Sequence, residues 1–280
     1  WEQILPRPET RSGHTVVYDP IHNVIVLFGG YDGTSYRNDT WVKELPDSTW
    51  RQVPTYPGAP PGRANHTAIY DPVGQRMIVF GGRNADSSFV DAWALSRNYQ
   101  YYWTRLPDAP MSAGRFGHTA IYDPARQRMW VFGGTDALVC NDTWALDLGS
   151  TCQWSLITPS GTPPVARQGH TAIYDSFRGR MVVFGGTRGA FLNDTSELSL
   201  ADPVSWTQIS PTGPLPSARY HHAAIYDPLG RRMIVFGGDD AARKMDTWAL
   251  YLGDTPAWTL IDPSGTLPQG RAEHAALYDP

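Results

Sequence analysis

A chain of 280 residues with 23 basic and 27 acidic side chains has a formal charge of −4, which gives it no broad attraction to nucleic acid or anionic lipid. Hydrophobic residues make up 41% and aromatic residues 12%, enough for a continuous core. No apolar run approaches the roughly 20 residues that span a bilayer, so no membrane insertion is expected. The two cysteines are too few for a disulfide scaffold.

The opening residues, WEQILPRPET, have neither the basic start nor the apolar stretch of a signal peptide, and Trp1 to Leu5 reads as a lone outer strand. From Arg11 onward the chain repeats itself. The same Arg recurs at Arg63, Arg115, Arg167, Arg219 and Arg271, and a glycine pair begins at Gly29, Gly81, Gly133, Gly185 and Gly237, every step being close to 52 residues. A fixed period of this size marks one supersecondary unit stacked on copies of itself. The spacing predicts a single domain over 1–280 with units at about 11–53, 63–106, 115–157, 167–209 and 219–261, and partial strands at 1–5 and 271–280.

Within a unit such as RANHTAIYDPVGQRMIVFGG, the segments HTAIYDP and RMIVFGG are apolar on both alternating faces and are joined by a short turn. That pattern predicts two strands, a and b, covered on both sides. After a loop of variable composition comes strand c, as in DTWVKEL or DTWALDL, and then strand d, opening on Trp50, Trp103, Trp154, Trp206 or Trp258. Polar residues interleave along strand d, which suits an exposed sheet edge. A Pro- and Gly-rich connection such as ITPSGTPPVAR then crosses from the outer edge to the inner strand of the next unit. Four antiparallel strands joined outer edge to inner edge predict an all-β propeller.

The unit resembles the kelch repeat: an apolar strand closed by a Gly pair, an aromatic on strand c and a Trp opening strand d, over almost the whole chain. The resemblance implies a β-propeller of four-stranded blades. Five blades are complete, and with the two partial end strands the chain reads as an incomplete six- or seven-bladed ring within a larger polypeptide. Kelch propellers include oxidases similar to galactose oxidase, sugar isomerases, actin-binding proteins and substrate adaptors, so the resemblance implies no single activity. The copper oxidases need a Tyr–Cys crosslink that neither Cys140 nor Cys152 matches. No copper and no other cofactor is therefore expected.

Several recurrent residues could pass for chemistry. His14, His66, His118, His170, His222 and His274 occupy one position on six units and are expected to be satisfied between blades rather than to converge on a metal. The recurring Tyr at 18, 70, 122, 174, 226 and 278 is expected to pack between blades with its hydroxyl satisfied. Pairs such as Asp71 with Arg76 and Asp227 with Arg232 read as exposed hairpin pairs. The N-x-T triplets at Asn38, Asn141 and Asn193 read as turns capped by Asp and Thr through their own backbone, and Asn65 opens a fourth such triplet. The hairpin register sets Cys152 near Leu148 and far from Cys140, so no disulfide is expected.

What varies inside the repeat is free of the packing demand that fixes the rest. In such a blade the b–c loop and the d–a crossover leave on one face. The binding candidates on that face are Tyr31, Asp32, Tyr36, Arg37, Arg83, Asn84, Phe89, Phe116, Arg188, Phe191, Tyr220, His221, Asp239, Asp240, Arg243 and Glu273. Aromatic, Arg and carboxylate side chains around a shallow funnel suit recognition of a protein segment or a glycan. The first expectation is a non-catalytic recognition module, set outside the cell or at its surface by analogy with large proteins carrying such arrays. A carbohydrate-acting enzyme such as a sugar isomerase or mutarotase is the alternative, with Asp239, Asp240, His221 and Glu273 as acid and base. An architectural spacer with no ligand is the third.

Overall fold

The computed structural model describes residues 7–47, 49–54, 58–149 and 151–278, and these contain strands and no helix. Blade 1 is β1 (Thr15–Asp19), β2 (Val24–Phe28), β3 (Thr40–Glu44) and β4 (Trp50–Val53). Blade 2 is β5 (Thr67–Asp71), β6 (Arg76–Phe80), β7 (Ala92–Arg97) and β8 (Tyr101–Leu106). Blade 3 is β9 (Thr119–Asp123), β10 (Arg128–Phe132), β11 (Thr143–Asp147) and β12 (Trp154–Ile157). The short β13 (Ser160–Gly161) leads into blade 4, made of β14 (Thr171–Asp175), β15 (Arg180–Thr187), β16 (Phe191–Ser199) and β17 (Ser205–Ile209). Blade 5 is β18 (Ala223–Asp227), β19 (Arg232–Phe236), β20 (Thr247–Tyr251) and β21 (Ala257–Ile261). Each blade is antiparallel in chain order, and the inner strands β1, β5, β9, β14 and β18 touch in sequence around an axis. The fold is a β-propeller with five four-stranded blades. The lone strand read at Trp1–Leu5 lies outside the described residues.

The Gly pair is what allows blades to close on one another. The second glycine donates its N–H to the carbonyl of the next blade's repeated Arg, as from Gly30 to Arg63 and from Gly82 to Arg115, each at 2.8 Å. Gly81 has φ +64, and a Cβ there would sit 2.7 Å from the Arg115 carbonyl oxygen, so any other side chain would be strained and would force the blades apart. Apolar packing follows directly behind. Phe80 meets the rings of His118 at 5.1 Å and Trp154 at 4.6 Å in blade 3, and the same trio recurs at every junction from blade 1 to blade 5. These side chains, with Met77, Ile78, Trp130 and Phe132, form clusters between blades rather than inside one.

A second device runs through each blade. The guanidinium of Arg63, wholly buried, donates to both carboxylate oxygens of Asp91 at 2.7 and 2.9 Å and to the Gly81 carbonyl at 2.8 Å. Asp91 also accepts the Trp93 indole N–H at 2.6 Å. Arg11 with Asp39, Arg115 with Asp142, Arg167 with Asp194 and Arg219 with Asp246 repeat the pair. The Asp of the D-T motif therefore serves the Arg of its own blade, not a local turn cap as the triplet suggested. Asn141 and Asn193 in those triplets donate instead to the Pro164 and Pro216 carbonyls of the following crossovers.

The axis is closed by backbone alone. Gly13, Asn65, Gly117, Gly169, His221 and Glu273 each donate N–H to the carbonyl of the residue one repeat earlier, and Gly13 completes the circle on Glu273, at 2.7 to 3.0 Å throughout. All six have φ between +54 and +64. Gly and Asn adopt that conformation readily, whereas His221 and Glu273 hold it at a cost of about 1–2 kcal/mol each. The ring thus has six places, and residues 271–278 occupy the sixth. Read as a strand from the sequence, they join no ladder among the described residues.

Candidate functional site

Each b–c loop folds back on the residues that follow the repeated Arg. Tyr31 bridges Ser12 and Tyr36, Arg83 bridges Ala64 and Ser88, Thr135 bridges Phe116 and Val139, and Asp239 bridges Tyr220 and Arg243. Thr187 pairs with Gln168 in the same way, and β15 and β16 run on to a tight hairpin tip at Arg188. These short bridges set the loops and crossovers on one face, around the mouth of the axis.

Half of the candidate side chains on that face are occupied by the loops themselves. Asp32 accepts N–H from Thr34 and Ser35, Asn84 from Asp86 and Ser87, and Asp239 from Ala241, each within 2.9 Å. Arg37 pairs with Glu9 and Asp32, and Asp240 with Lys244 at 2.7 Å. Tyr31 and Tyr36 pack on each other at 4.8 Å. Phe89 lies 4.2 Å under the Arg63 guanidinium and acts as a lid on the buried Arg63–Asp91 pair. Sequence variation alone could not reveal these duties, since turn-capping Asp and Asn look like free polar groups.

The rest converge. Arg83 lies 4.4 Å over the Phe116 ring, Phe191 stacks on Tyr220 at 5.3 Å and 11°, and Tyr220 leans on His221 at 4.4 Å. His221 Nδ1 is 3.2 Å from Glu273 Oε1, its neighbour in the axial ring. Burial holds the His221 imidazole below its ordinary range, with Arg83 adding to the effect and Glu273 and Asp239 opposing it. Arg83, Arg188 and Arg243 are exposed and take part in no ion pair among the described residues. Below this rim the axis opens into a cavity of about 160 Å³ lined by the ring residues and the six repeated histidines.

Those histidines belong to the scaffold. Nε2 of His66, His118, His170 and His222 lies 2.8 to 2.9 Å from the hydroxyl of Thr15, Thr67, Thr119 and Thr171 in the preceding blade, so the inter-blade partner expected is met on that nitrogen only; Nδ1 of all six histidines is buried without a hydrogen-bond partner among the described residues. Among the described residues no group of His, Cys, Asp or Glu is placed to hold a metal ion. At the opposite end of the axis the repeated tyrosines line a wider opening of about 350 Å³. Tyr70 donates to Asp19 at 2.6 Å and Tyr226 to Asp175 at 2.8 Å, each reaching back one blade to a turn carboxylate. The hairpin Asp is thus buried rather than exposed, a correction to the sequence reading: Asp71 and Asp175 are each 1% exposed, and Arg76 and Arg180 continue to the Leu148 and Leu252 carbonyls of the next blade. Cys140 and Cys152 are free thiols.

With this geometry in view, likeness to known proteins is decisive for family. The family model for the "KLHDC2/KLHL20/DRC7 Kelch-repeats domain" matches residues 1–108 and 100–279. The chain belongs to the kelch-repeat family. It is 27% identical to human host cell factor 2 over 97% of this chain and 38% of that protein. An F-box/kelch-repeat protein of Arabidopsis thaliana is 30% identical over 94% of this chain and 58% of its own length, and kelch domain-containing protein 3 of Bos taurus is 30% identical over 78% and 61%. The kelch chain therefore spans less than two thirds of the length of these relatives. Its kelch homologues are in general protein-interaction modules.

Proposed function

We propose that this kelch propeller binds an extended segment of a partner protein across its loop face, over the mouth of the axial cavity. One observation carries the reading. Three exposed arginines with no carboxylate partner among the described residues, Arg83, Arg188 and Arg243, lie on the same loops and crossovers as the Phe116 ring under Arg83 and the stacked Phe191–Tyr220 pair. Rigid aromatic rings give apolar anchors at small entropic cost, and unpaired guanidinium groups donate to carboxylates in a bidentate fork. A segment carrying both apolar and acidic side chains is the ligand that meets both demands. The His221–Glu273 pair supplies a hydrogen-bonding polar edge beside Tyr220.

Panning a random peptide display library against the protein tests this. Selected peptides are expected to combine acidic and apolar residues, and Arg83→Ala, Phe116→Ala or Tyr220→Ala each weakens them about tenfold or more, the effect of losing one interface anchor. Leu229→Ala, a change at an exposed a–b turn on the other face, leaves binding unchanged. Failure to enrich any peptide, or enrichment of peptides indifferent to all three loop substitutions, contradicts the reading.

A further inference from the structure

The outer strand of a blade is a sheet edge, and in blades 4 and 5 the crossover arriving from the blade before covers it. In blade 4 the cover is β13, which runs parallel to β17 in the register Ser160 to Ser205 and Gly161 to Trp206. In blade 5 Thr212 does the same beside Ala257. Ser160 and Thr212 each donate their N–H, at 3.0 and 2.9 Å, and their hydroxyl, at 3.3 Å, to one carbonyl, that of Val204 or Pro256. The Trp258 N–H donates back to the Thr212 carbonyl at 2.9 Å. The glycine that follows, Gly161 or Gly213, has φ +79 or +84, and a Cβ on it would strike the carbonyl oxygen of Trp206 or Trp258. Beneath this cover Trp206 and Trp258 are 2% and 1% exposed.

Blade 3 lacks the cover. Ser160 and Thr212 lie three residues after the ends of β12 and β17, and the residue at the same distance from the end of β8 is Ala109. Ala109 has no hydroxyl, is followed by Pro110, and donates its N–H to the Val90 carbonyl of its own blade at 3.0 Å. The crossover into blade 3 therefore turns back, and Pro107 accepts the Trp154 indole N–H at 3.0 Å without bonding the β12 backbone. On its outer side β12 has no bridge among the described residues, and Trp154 is half-buried where its counterparts are closed over. Leu146 and Trp154 share the register of Leu250 and Trp258, so the Trp154 N–H points off the sheet edge as the Trp258 N–H does.

We infer that the edge of β12 is a second docking site, for an extended segment of a partner protein that carries a Ser-Gly or Thr-Gly pair. The segment adds to the sheet parallel to β12. The carbonyl of its Ser or Thr accepts the Trp154 N–H, and its Gly passes over the Trp154 carbonyl and closes the indole from solvent. Glycine is demanded there for the reason seen at Gly161 and Gly213, where a Cβ has no room. Prolines on either side, as in the chain's own ITPSGTPP, hold such a segment extended before it binds. The site lies on the outer side of the ring rather than at the mouth of its axis, so it stands or falls separately from the reading of the loop face.

The peptide ITPSGTPP, residues 157–164, serves as the probe, titrated to millimolar concentration into the isotope-labelled protein and followed by NMR. Saturable shifts are expected, largest at the Trp154 and Leu156 amides. A peptide with Gly161→Val binds about tenfold more weakly or worse, since its side chain meets the Trp154 carbonyl. In the protein, Leu156→Pro removes the next N–H on that edge, where a proline disturbs no ladder bond, and abolishes binding. Arg83→Ala, on the loop face, leaves it intact. If Leu156→Pro folds poorly, the peptide substitution decides alone. Absence of saturable shifts, shifts confined to other strands or to the loop face, or equal binding of the Gly161→Val peptide overturns the inference. A concentration-dependent dimer in sedimentation that protects the Trp154 and Leu156 amides also overturns it, by giving the edge to a second copy.

Discussion

Lowering the pH from 7 to 5 destabilises the folded ring steeply, well above the range in which carboxylates titrate. His66, His118, His170 and His222 are 4 to 5% exposed, and burial first, then the neighbouring repeated Arg, depresses each. His118 and His222 fall to about 3, and His14 and His274 to about 4. Unfolded, each would titrate near 6.5. Between the two values the unfolded chain binds protons that the folded chain refuses. The stability from neutral burial is therefore complete above the unfolded value and is lost as pH falls towards the folded one. The cost is on the order of 1 kcal/mol per histidine per pH unit below about 6. The Asp39, Asp91, Asp142 and Asp246 carboxyls work in a lower window. Burial alone would raise them, but the paired Arg and Trp donors hold them below their ordinary value, so their contribution is lost only under more acidic conditions. Urea unfolding at pH 7, 6 and 5 should show the midpoint falling at each step, with a shallower slope in His118→Gln. A midpoint constant from pH 7 to 5 would show that these histidines accept protons in place.

Arg63→Ala unfolds the protein at a much lower temperature. The substitution leaves the Asp91 carboxylate buried with the Trp93 indole as its remaining donor, and removes the tie to the Gly81 carbonyl at the blade junction. Breaking a buried pair from one side costs about 3–5 kcal/mol. Arg63→Lys restores little, because a lysine cannot span both carboxylate oxygens and the carbonyl. Asp91→Ala should cost a similar amount, with the double substitution well short of the sum, since both sides of one pair are then gone. The exposed Arg105–Asp108 pair is the control. Its loss is worth below about 1 kcal/mol. If Arg63→Ala and Arg105→Ala lowered stability equally, the buried pair would not be the tie described above.

The period of 52 residues made the blades, their order and their strand pattern legible before any coordinates, because a repeat must present the same apolar faces at every copy. The partners of the repeated residues were not legible in that way. Arg63 and Asp91 recur with the same period, as do Tyr70 and Asp19, but periodicity says only that a residue is repeated, not which other repeated residue it touches or in which blade. The spacing between Arg and the D-T motif, nearly constant in all five units, was the signal that could have paired them. The axial ring was hidden for another reason. Its six members share a backbone conformation and not a side chain, so Gly13, Asn65, His221 and Glu273 look unrelated in sequence. On the loop face, variation could not separate Asp32 or Asn84, held by their own turns, from Arg83 or Arg243, which take part in no ion pair among the described residues.

Amide hydrogen exchange on the protein with and without its tightest selected peptide tests the central claim most directly. The account predicts slowed exchange at 83–89, 116–117, 188–191, 220–221 and 239–243, and little change at the a–b turns on the opposite face. Protection concentrated at those turns, around residues 72–75, 124–127 and 228–231, with the loops unaffected, would contradict it and place recognition on the tyrosine-lined end of the axis.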